Sequence, residues 1–545
     1  MQIRPAATLA LVRDSDRGPE ILLLQRSHDA VFLPGFYVYP GGAVDDADHT
    51  LEPHIAGPSD AEISRVMNLP AGGYSYMAAA IRECFEEAGL LLAATDDGGW
   101  PDLAETELLQ WREGLTSGER SLAELCRAHN LRLPLHQVAY LDHWITPPGP
   151  PRRFDTRFFI AEAPAGMQVR HDGAEIIDHI WLTPTQALAD HAEGRRLFGT
   201  PTLHTLRLLQ GFASVAAIMA HVRQNPPEPF PYEPWPAIKD GRPITLKPGE
   251  PAYAEARLLD PQGQGGSAAV ITPGEPVSLA PGVVRLTAPN PGLMTGPGTN
   301  TYLLGDGDDL TLIDPGPAID SHIARLLELS GGRIKRILVT HTHRDHSPAA
   351  APLKAATGAE LLGFAVPDDG FQDTSFTPDR LLQDNEVLDT GAGPLQVLHT
   401  PGHASNHACF LLPCQQMLFA GDHIMQGSTV VINPPDGDMK AYLQSLHRLS
   451  LLDLRWIAPA HGFVMGLPLA MIDYLITHRM AREFKVVDAL KALGPADIPT
   501  LTDHAYSDTP KALHSLATRS LLAHLLKLEQ ENRAHCDDGR WRWVP

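Results

Sequence analysis

Short, unbroken apolar runs separated by turn residues set the rhythm of this chain. Residues 9–12 (LALV) and 21–25 (ILLLQ) flank the turn-rich stretch DSDRGPE, a pattern that predicts a β-hairpin. Residues 77–92 carry apolar positions at helical spacing and predict a helix. Residues 157–161 and 176–182 predict further strands. Between about 221 and 280 the rhythm stops. NPPEPFPYEPWP and PQGQGGSAAVITPGEP are dense in Pro and Gly and predict an extended linker or surface arm. From residue 283 short β runs return (VVRLTA, NTYLLG, LTLID, IKRILVT), bounded by Gly, Pro and Asp, with a helix expected over 321–330. That order predicts a layered α/β domain. After about 485, Leu513, Leu516, Leu521, Leu525 and Leu528 stand near helical spacing, and Asp538-Gly539 gives a hairpin signal inside AHCDDGRWRWV. Helices followed by a β-ribbon predict a small winged-helix-like unit.

These changes of pattern divide the chain into residues 1–225, 226–281, 282–484 and 485–545. Its 545 residues are too many for one ordinary domain, and 43% hydrophobic with 20% charged residues is sufficient for several cores. No apolar run is long enough to predict a membrane span. The opening MQIRPAATLALVRD reads as a first strand, not a leader, because its apolar run is short. The cysteines Cys84, Cys126, Cys409, Cys414 and Cys536 are odd in number, widely spaced and without a CxxC pair, so a cytoplasmic protein without a disulfide framework is expected. The net charge of −22 disfavours long nucleic acid, whose binding rests on phosphate neutralisation.

Candidate chemistry is densest at Thr340-His-Thr-His-Arg-Asp-His346, which follows the apolar IKRILV. Residues two apart on an extended chain point the same way, so His341 and His343 project together. Asp345 and His346 follow on the turn and can face a second ion. Three later apolar strands each end in a small residue and then a single donor: His403 after HTPG, Asp422 after FAG and His461 after IAPA. Zinc favours imidazole and carboxylate donors in compact sites. His399, His407 and His423 are read as ordinary histidines outside the set.

With Asp314 before them, these motifs resemble the metallo-β-lactamase-fold hydrolases over residues 282–480. The resemblance implies that His341, His343 and His403 hold one Zn2+, that Asp345, His346 and His461 hold the other, and that Asp422 bridges them. Asp422 stands where zinc β-lactamases usually carry Cys, which points away from antibiotic hydrolysis. The implied chemistry is hydrolysis by water whose pKa zinc lowers to about 7, with Asp345 among the residues that carry it. Asn290-Pro-Gly-Leu-Met-Thr-Gly-Pro-Gly-Thr-Asn-Thr-Tyr302, the segment Tyr474–Glu483 and the tail are similar to lactamase-like endoribonucleases that carry a C-terminal winged helix.

A second feature lies in the 77–92 helix. Glu83, Glu86 and Glu87 share one face, and Arg82 is placed to pair with Glu86 one turn on. Clustered carboxylates repel unless a cation neutralises them, and Mg2+ or Mn2+ suits oxygen donors and substrate phosphates. Together with Leu33-Pro-Gly-Phe-Tyr-Val-Tyr-Pro-Gly-Gly42, the run Arg82–Leu90 resembles the Nudix box. A contiguous box would have Gly at 68 and Glu at 74, where this chain has Asn68 and Tyr74. The long insertion is similar to the coenzyme A diphosphatase branch, as is Lys247–Tyr253. That branch implies Glu83 as base or metal ligand, Glu86 and Glu87 on Mg2+, and Glu175 as a further donor.

The expected fold is therefore α/β and α+β multidomain: a Nudix α/β/α sandwich, a metallo-β-lactamase αβ/βα sandwich and a winged-helix-like tail. The expected function is a cytoplasmic metallo-hydrolase acting on a small-molecule phosphate or thioester substrate of coenzyme A type, with no membrane partner. Two other readings stand beside it: an endoribonuclease on single-stranded RNA with the Nudix-like half as a binding module, and a metal-binding regulatory protein without turnover.

Overall fold

Strand Ile3–Arg13 explains why its apolar run is unbroken: both of its faces are covered. Leu9 and Leu11 meet Ile81 and Phe85 of the Gly73–Ala88 helix on one face. Ala10 and Val12 meet Phe198, Leu206 and Val222 on the other. The computed structural model describes residues 3–30, 33–164, 166, 168–171, 173–227, 230–368, 370 and 372–544, and forms two units, Met1–Pro234 and Trp235–Pro545.

In the first unit a mixed sheet runs in the order Tyr37–Val38, Glu20–Arg26, Ile3–Arg13, Arg153–Glu162, Ala139–Ile145. Gly41–Ala43 pairs with Ile3–Arg13, and Ile176–Leu182 pairs with Glu20–Arg26. The expected hairpin forms, with Val12 opposite Ile21. Helices on both faces complete the α/β/α sandwich. The helix expected at 77–92 occupies Gly73–Ala88 instead. It starts early because the Asp60 carboxylate accepts the N–H groups of Gly72 (2.8 Å) and Tyr74 (3.3 Å) at its N-terminal end. It stops early because Gly89 takes a left-handed conformation, φ 71°.

The second unit packs two sheets face to face. One runs Pro276–Ala280, Val283–Thr287, Asn300–Leu304, Leu310–Ile313, Ile334–Leu338, Glu360–Gly363, Arg380–Leu381. The other runs Val387–Thr390, Gly393–His399, Ala408–Leu412, Met417–Gly421, Trp456–Pro459. Tyr302, Leu304, Ile313 and Leu338 meet Val397, Phe410, Phe419 and Ala458 between them. Leu326 and Leu353 cover the outside of the first sheet, and Tyr442, Leu446 and Ile472 that of the second, giving the αβ/βα order. Leu310–Ile313 runs parallel to Ile334–Leu338, and Met417–Gly421 runs parallel to Trp456–Pro459. Gly393–His399 points the same way as this last pair, because the antiparallel Ala408–Leu412 lies between it and Met417–Gly421. Loops leaving these strands therefore gather at shared sheet edges.

The segment expected as a linker carries more structure than an extended arm. Trp235–Lys239 and Arg242–Leu246 form a hairpin around Asp240-Gly241, both at positive φ. Helix Tyr253–Leu259 follows and places Glu255 beside Arg285 on the first sheet. Both side chains are almost fully buried. Arg285 Nη2 donates to Glu255 at 2.9 Å, and the Val464 N–H donates to the same carboxylate at 2.8 Å. Lys247–Tyr253, similar in sequence to a Nudix segment, thus sits in the second unit. Its Pro and Gly content obscured this, because the segment is held by the buried ion pair and by a small cluster of Trp235, Ala237, Leu246, Ala252 and Ala256 with Phe463, whose members do not recur at one regular spacing.

The tail begins inside a long helix. Pro468–Leu493 runs across the expected 484/485 boundary, because no helix-breaking residue occurs before Gly494-Pro495. Ile498–Ala505 and His514–Gln530 pack with it around Val486, Leu490, Leu501, Leu521 and Leu525. The ribbon Ala534–Asp537/Arg540–Trp543 closes the unit through the Asp538-Gly539 turn. Among the described residues, no helix is long and apolar enough to cross a membrane.

Glu255→Ala leaves Arg285 buried without its counter-charge. It is expected to lower the unfolding free energy of the second unit by about 3–5 kcal/mol, and Glu255→Met with Arg285→Met to recover most of that. Urea denaturation checks both; a loss below about 1 kcal/mol would mean the pair does not hold the segment.

Candidate metal centre and carboxylate helix

The strand-end donors converge. His341 Nε2 lies 2.8 Å from His343 Nδ1, and His403 Nε2 lies 3.1 Å from that same atom. Nitrogens bound to one tetrahedral zinc ion at about 2.0–2.1 Å stand roughly 3.3 Å apart, so this spacing is close to that of a ligand set. Beside it, Asp345 Oδ2 is 3.4 Å from His461 Nε2 and 3.5 Å from His346 Nε2. Asp422 lies between the two groups: one oxygen is 3.3 Å from His461 Nε2, the other 3.6 Å from His346 Nε2 and 3.8 Å from His403 Nε2. Among the described residues, sets of three donors within 4.8 Å of one another occur only among these seven side chains, and none includes His399, His407 or His423.

The outward nitrogens of His346, His403 and His461 are engaged, which fixes how their inward ones point. Asp314, at the end of Leu310–Ile313, receives the Thr340 N–H at 2.7 Å and its hydroxyl at 2.8 Å, and pairs with His346 Nδ1 at 3.0 Å. His403 Nδ1 meets the Val431 carbonyl at 2.7 Å, and His461 Nδ1 meets the Gly298 carbonyl at 3.2 Å. Asn300 donates to the carbonyls of Pro459 (3.0 Å) and Gly462 (2.9 Å), pinning the loop that carries His461. Gly402 has φ 146°, and a Cβ there would lie 2.4 Å from Tyr442 Cα, which explains the glycine before His403.

What remains inside is unsatisfied. His346 Nε2, His461 Nε2 and Asp422 Oδ1 are buried without a hydrogen-bond partner. Buried polar atoms are rarely left so, because each costs about 1–3 kcal/mol. Burial and the neighbouring rings hold His341 well below the ordinary histidine range and push His343 down to about 4. Burial opposes charge on His461 too, but Asp422 and Asp345 outweigh it and lift that ring to about 9. Burial likewise opposes the charged form of Asp422, yet His461 and His346 hold its carboxyl well down. Neutral imidazoles on one side, and carboxylates relying on borrowed protons on the other, form a donor set that divalent cations fit.

Sequence reasoning found the ligand types but not their supports. Asp314 was visible as a motif without a task. The carbonyls of Val431 and Gly298 carry no side-chain signal at all. His407, read as ordinary, is buried beside the site, with Nδ1 3.0 Å from Thr400 Oγ1 and Nε2 accepting the Asp422 N–H at 3.2 Å.

In the first unit, Glu83, Glu86 and Glu87 do share the expected helix face, but they are not gathered as tightly. Arg82 stands among them. Its Nη1 donates to Glu83 (2.9 Å) and Glu86 (3.2 Å), and its other nitrogens grip the buried Asp48 at 2.9 and 3.1 Å. Glu87 accepts the Gly41 N–H at 3.0 Å, and a Cβ on Gly42 would sit 2.3 Å from Glu83, so the Gly-Gly pair makes room for the carboxylates. Arg112 donates to the carbonyls of Glu86 (2.7 Å) and Glu87 (3.0 Å), a cation at the helix C-terminus. Glu175 lies close enough to raise the Glu87 pKa, but its carboxylate is engaged by Arg26 at 2.7 Å. Burial lifts Glu83 to about 7 and raises Glu86 and, well above the usual range, Glu87. The two departures from a contiguous box have structural counterparts. Asn68 adopts φ 54°, a conformation that Gly or Asn tolerates. Tyr74 donates to the His49 carbonyl at 2.7 Å, while the acidic partner of Arg82 comes from the insertion as Asp48. Asp48 is the residue that sequence reasoning missed, because it lies 34 positions from Arg82.

Comparison with known proteins matches three regions of the chain to known families. The model of the Metallo-beta-lactamase superfamily matches residues 294–461, that of the NUDT19 Nudix domain residues 59–209, and that of the Beta-lactamase associated winged helix domain residues 498–541. An atrochrysone carboxyl ACP thioesterase from Aspergillus chevalieri is 36% identical over 284 residues, covering 49% of this chain and 87% of that protein. The chain belongs to the metallo-beta-lactamase superfamily. A beta-lactamase-like protein 2 homolog from Drosophila melanogaster is 30% identical over 272 residues, covering 47% of this chain and 90% of that protein. For the first unit, the crystal structure of a NUDIX hydrolase from Alicyclobacillus acidocaldarius is 28% identical, covers 40% of this chain and 96% of that one, and superposes with a TM-score of 0.35. This superfamily member thus carries a Nudix domain of NUDT19 type ahead of its lactamase domain and a winged helix behind it, and it is a metal-dependent hydrolase.

The Glu83 carboxyl is expected to titrate near pH 7 in the metal-free protein. Carbon-13 NMR of labelled glutamate should show that midpoint, lose it in Glu83→Gln, and move it downward when Mg2+ is added; carboxyl midpoints all below about 5 would rule the shift out.

Proposed function

We propose that the second unit hydrolyses a thioester, an acyl group carried on a coenzyme A-type thiol, and that the first unit cleaves a diphosphate bond in the same class of metabolite. The observation that carries the thioester reading is the likeness to the Aspergillus thioesterase, which spans the lactamase half and nearly all of that relative. Asp422 in place of a cysteine agrees with it, as do the orphaned inward atoms of His346, His461 and Asp422.

In this reading His341, His343 and His403 hold one divalent ion, Asp345, His346 and His461 hold the second, and Asp422 serves both. Zinc suits this set of imidazoles and carboxylates. Bound there, the ions supply an activated water and a positive surface for developing charge. The chain supplies the rest. Asp314, Val431 and Gly298 keep three rings aimed inward, and Asp345 and Asp422 face His346 and His461 across 3.3–3.6 Å. Water adds to the acyl carbon, the carbon–sulfur bond breaks, and the products are a carboxylate and a free thiol. In the first unit Glu83 acts as base or ligand and Glu86 and Glu87 hold Mg2+ or Mn2+ against the substrate phosphates.

The test pairs substrates with metals. Acyl-coenzyme A plus Zn2+ should release free thiol, with Asp422→Ala and His341→Ala each losing more than about a hundredfold. Acyl-coenzyme A plus Mg2+ should yield phosphate-containing fragments that Glu86→Gln and Glu87→Gln abolish. Cleavage of short single-stranded RNA with acyl-coenzyme A untouched would replace this reading by the endoribonuclease one.

A further inference from the structure

The long tail helix Pro468–Leu493 does more than start the winged-helix unit. Arg479 points from its middle into the lactamase domain and is 4% exposed. Its Nη2 donates to the Val430 carbonyl, one residue from the Val431 carbonyl that receives His403 Nδ1 at 2.7 Å. The same guanidinium lies over the Tyr442 ring, 5.5 Å from its centroid. Tyr442 is fully buried, and its hydroxyl donates to the His423 carbonyl at 3.0 Å, directly after Asp422. Its backbone fills the space that a side chain at Gly402 would need, directly before His403.

One buried cation thus touches the supports of two separate ligand loops. Pulling on Val430 sets the carbonyl that orients the His403 ring. Lying over the Tyr442 ring, the guanidinium also packs on the residue whose backbone abuts Gly402 and whose hydroxyl holds the His423 carbonyl. Among the ion pairs of the described residues none involves Arg479, and its Nε is buried without a hydrogen-bond partner, so an exchange for an apolar side chain removes this tie without stranding a carboxylate.

We propose that Arg479 is a positioning residue of the metal centre, through which the tail helix holds His403 and Asp422 in ligating geometry. The proposal rests on the seven side chains being a metal centre, and its test reads metal directly. The full chain loaded with Co2+ should show visible ligand-field bands. Arg479→Met, of similar length without the charge, should lose cobalt to a chelator about ten- to a hundredfold faster, change the intensity of those bands, and lower kcat with KM little changed. Arg479→Lys, still able to donate to Val430, should recover most of the metal retention. Lys527→Met serves as the control: it removes the 2.8 Å partner of buried Glu483 further along the tail and should lower the melting temperature while leaving cobalt release as in the parent.

A folded Arg479→Met with parental cobalt release and spectrum would overturn the proposal. So would equally fast release from Lys527→Met at a matched melting temperature, since any loosening of the tail would then suffice. Should Arg479→Met fail to fold, Tyr442→Phe, which removes only the hydroxyl bond to the His423 carbonyl, must change the cobalt bands, or the proposal falls. A parent chain that takes up no cobalt would instead sink the reading of the seven side chains itself.

Discussion

Buried donors without partners are the constraint on which the second unit depends. Seven polar side chains are drawn to one edge of a sandwich whose strands are almost wholly apolar, and three of their inward atoms make no well-formed hydrogen bond, facing opposite charges only across 3.3–3.6 Å. Leaving such atoms poorly paired costs free energy that a bound cation would offset. The sandwich therefore has to be stiff enough to hold like donors together before any cation arrives. That stiffness comes from outside the ligand set, from Asp314 between Thr340 and His346, from Asn300 across the Pro459 and Gly462 carbonyls, and from Tyr442 against Gly402.

The segments flanking the lactamase domain belong to the same logic. The Pro/Gly-rich stretch is tied to the first sheet by Glu255, which satisfies Arg285 and the Val464 amide two residues past Gly462. At the other end, the tail helix sends Arg479 to the Val430 carbonyl and the Tyr442 ring. Both flanking pieces thus reach the loops that carry the converging donors, and neither behaves as a passive appendage.

The carboxylate helix of the first unit solves a related problem with a different device. Burial raises the pKa of all three glutamates, and Glu86 adds to this at Glu83 as Glu83 does at Glu87. Here the chain brings its own cation: Arg82, itself fixed by Asp48, sits against Glu83 and Glu86. Gly41 and Gly42 leave the space into which the carboxylates fit. The lactamase-type donor set sets imidazoles against carboxylates, whereas the glutamate face is partly neutralised by an arginine.

The sequence by itself determined which side chains converge and most of the local structure. Apolar runs ending in His, Asp and small residues named all seven donors, the spacing of Glu83, Glu86 and Glu87 placed them on one face, and the hairpin at Asp538-Gly539 and the helix over Leu513–Leu528 followed from patterns a few residues long. Such signals are legible because the residue types are distinctive and their spacing is local. Tertiary structure alone decided what holds those groups in place. Asp48 meets Arg82 from 34 residues away, Glu255 meets Arg285 from within a segment that reads as linker, and the helix through Arg479 ignores the expected boundary. The partners that aim His403 and His461 are backbone carbonyls. Every residue has a carbonyl, so no side-chain pattern marks the two that matter; only the folded path of the chain brings them to the rings.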